Sequence, residues 1–92
     1  MKYDTEILKA LGDKVRTMRE SQGLTQDGLA QKASFHRTYI GSIERGERNV
    51  SLLNLQRLSY ALGVSVSSLF WNVEYNNNKT GDADLAPRAS VR

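Results

Sequence analysis

Arg37, Thr38, Gly41 and Ser42 stand close together in the stretch Phe35-His36-Arg37-Thr38-Tyr39-Ile40-Gly41-Ser42-Ile43-Glu44-Arg45-Gly46. They offer a forked guanidinium donor, two hydroxyls and one position without a side chain, a set suited to close approach and hydrogen bonding against a polar surface. Tyr39, Ile40 and Ile43 fall at i, i+1 and i+4, so in a helix they gather on the other side and pack inward. A solvated helix face more often carries Glu and Lys pairs that support it locally, and the polar side of this stretch does not. Its spacing therefore points to a short helix built for contact.

Covalent chemistry has little to work with. One His, no Cys, no clustered carboxylates and no phosphate-cradling glycine loop, in 92 residues, leave no catalytic set and no room to enclose a substrate, so an enzyme is not expected. No metal site, cofactor or small-molecule effector is implied. The lack of Cys also removes disulfides and fits reduced, cytoplasmic surroundings. Met1 to Glu6 lack the long apolar run of a signal peptide, and no stretch approaches a membrane span, so no membrane partner is expected. A net charge of +3 permits an anionic partner without demanding one.

The elements that must hold the contact helix are legible as helices. Leu8, Leu11, Val15 and Met18 recur at spacings of three and four, predicting a first amphipathic helix from Ile7 to about Ser21, with Gly23 as its left-handed stop. Thr25 is placed to cap a second helix whose core side is Leu29, Ala30 and Ala33. Gly28 stands where a capping box would have Glu or Gln, costing that helix about 1 kcal/mol. Ser34 and Phe35 leave room only for a sharp turn, so the second and third helices cross steeply as a helix-turn-helix. Gly46 ends the third helix. Ser51 caps a fourth with Leu52, Leu55, Leu58 and Leu62 facing the core and Gly63 stopping it, and Ser65 caps a short fifth helix over 66–71. From Tyr75 onward periodicity is lost, giving a folded domain over 1–74 and a disordered tail over 75–92.

Leu24-Thr25-Gln26, the series Tyr39-Ile40 through Ile43-Glu44-Arg45-Gly46, and Leu62-Gly63-Val64-Ser65 together resemble the lambda-repressor-like, or Xre-type, helix-turn-helix family over about residues 8 to 72. The resemblance implies an all-α, compact five-helix DNA-binding domain. It implies a homodimer on double-stranded DNA with a nearly palindromic operator, the third helix in the major groove and the second crossing the backbone. Carried over position by position, Arg37, Thr38 and Ser42 face base edges, Arg37 suiting guanine through its two-pronged donor. Tyr39 keeps two readings: a core aromatic, or a ring packed inward with its hydroxyl reaching a base or phosphate. Gln26, at the opening of the second helix, corresponds to a phosphate-contacting glutamine, and Thr25 beside it is expected as a further backbone contact. Arg48 and Asn49 meet the backbone or minor groove. Arg45 is open between DNA and an ion pair with Glu44 or Glu47.

Glu44 lies near the negative end of its helix, where a carboxylate needs a partner. In the family that partner corresponds to Arg19, making the pair structural. His36 departs from the usual Ser, Thr or Asp cap, which weakens the cap and turns the imidazole toward a phosphate. Ser34 departs from a turn glycine and is expected in a left-handed conformation. Leu69, Phe70 and Trp71 are adjacent, so they cannot all face one core. A homodimer interface there is favoured over Trp71 folding back on the first helix. Within the family, Arg37-Thr38-Tyr39-Ile40 followed by Ile43-Glu44-Arg45 and Arg48-Asn49 is similar to the controller proteins of restriction-modification systems. A rival function is a protein-interaction module that docks a partner through the fifth helix. The joint presence of Arg37, Thr38, Gln26 and Arg48 favours DNA.

Overall fold

The computed structural model describes residues 2–70, so Trp71, the 74/75 boundary and the tail lie outside the described residues. Five helices follow in order: α1 (Lys2–Ser21), α2 (Gln26–Ala33), α3 (Arg37–Glu44), α4 (Leu52–Leu62) and α5 (Val66–Phe70). The first begins at Lys2, five residues before the expected start at Ile7. Asp4 in its first turn sits at the positive end of the dipole, where a carboxylate is favourable.

Caps define the other boundaries. Thr25 accepts from Gly28 N at 2.9 Å, and Ser51 accepts from Asn54 N at 3.1 Å. His36 adopts cap geometry but makes no side-chain cap bond, leaving the start of α3 the weakest of the three. Helix ends turn through left-handed residues, and at α2 that residue is Ser34, with φ 60° and ψ 44°. Its turn is closed by Phe35 N donating to Ala30 O at 2.8 Å, so a hydrogen bond offsets the strain of a non-glycine residue there.

The core gathers one face of every helix. Val15, Leu29, Ile40, Ile43, Leu58 and Leu69 are fully buried, with α3 packed against both α1 and α2, and α4 against α2 and α5. Burying one such side chain is worth about 1.5–3 kcal/mol, so these six carry much of the fold. The tightest point is the crossing of α1 and α3. A Cβ added at Gly12 would stand 2.7 Å from the Glu44 carbonyl oxygen and would also strike that of Ile43.

Two expectations about apolar positions need correction. Leu52 is 71% exposed because it lies in the first turn of α4, ahead of the layer that Leu55 and Leu58 fill. Leu69 is 0% exposed: the short α5 turns it into the core, so it is not free to form a dimer surface. Phe70 alone of the described pair remains partly outside. A different apolar strip appears instead. Leu52, Leu53 and Tyr60, the last two 76% and 85% exposed, lie within an arc of about 100° on α4.

Candidate nucleic-acid interface

The two ends of α3 are held very differently. From Ile40 to Glu44 every residue is buried, whereas His36, Arg37 and Thr38 at its start are exposed. Among the described residues no acceptor engages the Arg37 guanidinium or the Thr38 hydroxyl. A forked donor left unpaired on a rigid helix is available for an external acceptor.

The buried end is anchored by charge. Glu44 accepts from Arg19 Nε at 2.7 Å and from Arg19 Nη2 at 3.0 Å, a bidentate pair with both residues 8% exposed. Arg19 Nη1 donates to Leu24 O at 2.8 Å, tying α1 to the start of the α2 segment. The hydrogen bond to Glu44 raises the Arg19 pKa above its ordinary value despite burial, so the guanidinium stays charged. Gln26 Nε2 donates to the same carboxylate at 3.1 Å. One carboxylate thus joins three helices, and no buried side-chain polar atom among the described residues lacks a partner.

Ser42 is corrected. It lies about 140° round α3 from Arg37, on the flank rather than the outer face, and is 5% exposed. Its hydroxyl donates to Tyr39 O at 2.7 Å and accepts from Arg48 Nε at 3.2 Å, so it holds Arg48 instead of reaching outward. Gly41 does point outward but is covered, with the Arg45 and Gln26 side chains lying over it. Arg45 chooses Glu47, donating at 2.9 and 3.2 Å. These bonds raise the Arg45 pKa and lower that of Glu47.

Tyr39 is not a pure core aromatic. Its ring is half-buried, edge-on to Phe35 at 4.9 Å, while its hydroxyl accepts from Asn54 Nδ2 at 2.9 Å and keeps its own O–H to give. Thr25, Arg48 and Asn49 are exposed, and Gln26 is half-buried under its bond to Glu44. Gln26 Nε2 has a second hydrogen, so the bond to Glu44 orients the amide without exhausting it.

The structure brings His36, Thr38, Tyr39 and Arg48 together around an open cleft of about 560 Å³, whose other walls are Ser34, Phe35, Asn54 and Arg57. Thr25, Gln26, Arg37, Ser42 and Asn49 do not line it. Sequence reasoning missed Asn54 and Arg57, because α4 reads locally as a core helix. The available signal was the spacing of three between these polar residues, together with the need for a cation at the negative end of α2.

With this geometry in view, residues 15–69 match the family model HTH_3, helix-turn-helix. Control protein C.MunI of Mycoplasma sp is 44% identical over 70 residues, covering 75% of this chain and 95% of that protein. The crystal structure of the restriction-modification controller protein C.AhdI from Aeromonas hydrophila aligns with a TM-score of 0.68 at 41% identity, over 68% of this chain and 96% of that one. The restriction-modification controller C.Esp1396I, solved as a tetramer in complex with its natural 35 base-pair operator, aligns with a TM-score of 0.67 at 33% identity, over 73% and 88% of the two chains. The helix-turn-helix geometry and these matches agree: the chain belongs to the lambda-repressor-like, Xre-type helix-turn-helix family.

Proposed function

We propose that this chain is a sequence-specific DNA-binding transcriptional regulator that binds a nearly palindromic operator as a homodimer, in the manner of a restriction-modification controller. The observation that carries this is the unpaired Arg37–Thr38 end of α3, projecting from a helix whose other end is fully buried. Residues 36–45 enter the major groove, where Arg37 takes the O6 and N7 acceptors of guanine and Thr38 meets a thymine methyl or a single acceptor. Arg48, Asn49, His36 and Gln26, with the amides that open α2, fix the register against phosphates. Ser42 takes part only by steadying Arg48.

The dimer surface is the α4 strip of Leu52, Leu53 and Tyr60, with Phe70 on α5 a further exposed apolar group. Three exposed large apolar groups on one short helix are more than a monomer surface normally leaves uncovered. A second copy covering them sets two recognition helices roughly 34 Å apart, one turn of duplex. The relatives named as controllers, one of them bound to its operator as a tetramer, support the same reading over the rival interaction module.

Selection of bound sequences from a random duplex pool, followed by a salt titration on the winner, tests it. A two-fold symmetric motif with guanines at matched half-site positions is expected. Absence of enrichment, with only weak salt-sensitive binding, would overturn it.

A further inference from the structure

Arg57 sits on α4, outside the helix-turn-helix, yet it makes three hydrogen bonds to the turn. Its Nη2 donates to Ser34 O at 2.6 Å and to Ala33 O at 3.0 Å, and its Nε donates to Ala33 O at 3.2 Å. The guanidinium carbon lies 4.1 Å from the centre of the Phe35 ring, in stacking range. The last carbonyls of α2, the negative end of its dipole, are thereby neutralised by a fixed positive charge. Nη1 makes none of these bonds, and its two N–H groups remain open on an exposed side chain.

A second guanidinium also lines the cleft and is held in a similar way. Arg48 lies 5.6 Å from the centre of the Tyr39 ring and is steadied by Ser42. The remaining walls are Ser34, His36, Thr38 and Asn54 with the two rings, and no carboxylate lines the space. Two positive charges held on aromatic plates, with hydroxyl and amide donors in the same cleft and no acid to answer them, complement a compact anion. The cleft begins one residue from Arg37, so an anion seated there is continuous with the surface that meets the bases.

We propose that this cleft seats one phosphate of the DNA backbone, gripped between Arg48 and Arg57, and that Arg57 is a direct phosphate contact as well as the brace of the Ser34 turn. The assignment rests on the DNA-binding reading above and names a contact which that reading does not need. Because the same guanidinium holds the turn and the phosphate, filling the cleft also fixes the angle at which α3 leaves α2.

The test uses the full chain and its selected operator, with backbone phosphates replaced one at a time by neutral methylphosphonates. In Arg57→Gln, which keeps one donor for the turn carbonyls but no charge, the salt slope should fall by about 0.9, one phosphate's share. One methylphosphonate position that weakens the wild-type protein should become indifferent. Arg57→Lys, which keeps the charge, should retain both the slope and the pattern. If Arg57→Gln keeps the wild-type slope and every phosphate position still matters, Arg57 only braces the turn and the cleft assignment falls, while DNA binding stands. If Arg57→Gln does not fold, loss of either the slope or the pattern in folded Arg57→Lys overturns the assignment equally. If the wild-type chain selects no operator and shows no salt-dependent affinity, the DNA reading itself fails and takes the assignment with it.

Discussion

The two halves of α3 are eight residues of one helix with opposite design rules. Its last five residues are buried, crossed by α1 at a glycine and locked through Glu44 to Arg19 and Gln26. Its first two residues, Arg37 and Thr38, carry side chains with no internal partner and follow a cap without a side-chain bond. The difference teaches that specificity here is presented by a rigid root, not by a rigid tip. A helix this short would be marginal alone, so tertiary anchorage of one end must supply the order that the other end uses.

The comparison can be broken most severely at the root. Arg19→Ala strands the buried Glu44 carboxylate and should cost about 3–5 kcal/mol, a large share of the roughly 5–15 kcal/mol typical of a domain. Thermal melting reads this directly, and an unchanged midpoint would mean that the pair does not support α3. Gly12→Ala places a methyl against the backbone carbonyls of Ile43 and Glu44, so about 1–3 kcal/mol should be lost in urea unfolding. Any affinity lost with it should be shared by all DNA sequences.

At the tip the same scale of change should leave folding untouched. Arg37→Ala should keep the thermal midpoint, weaken the operator by about 1–3 kcal/mol and relax preference at one base pair. Arg48→Ala should instead weaken specific and random duplexes alike and reduce the salt slope by about 1. Equal losses on both kinds of DNA from both variants would erase the division between reading and positioning. The smallest effect lies at the joint between α2 and α3. Ser34→Gly relieves a left-handed serine and should stabilise the folded chain by at most about 1 kcal/mol, less the added entropy of the unfolded chain, as seen by the midpoint of chemical unfolding.

Much of this was legible in the sequence because it is local. The caps at Thr25 and Ser51, the glycine stops and the inward set of Ile40 and Ile43 follow from spacing alone. The left-handed Ser34 was likewise readable from its place in the turn. Ser42 was misplaced because the helical wheel gives an angle but not the depth of the neighbours, and the Arg48 loop folds over that flank. Leu69 was misread because adjacency shows only that three apolar residues cannot share a face, without saying which of them turns inward. Leu52 came out exposed because helical spacing does not reveal where a helix enters the core. Arg57 was passed over for a related reason: its partners lie more than twenty residues away and are backbone carbonyls, so only the negative end of α2 hinted at a cation there.

The glycine at position 12 sets a distance that other members of this fold can be measured against. With no side chain between them, the backbones of α1 and α3 touch, and the depth at which the reading end stands above the body follows from that contact. A related chain with a larger residue at this place has to stand its first helix further off, carrying the Arg19 anchor with it. The identity of one unremarkable small residue, far from any base, then serves as a gauge of whether two such proteins can present their recognition helices at the same height.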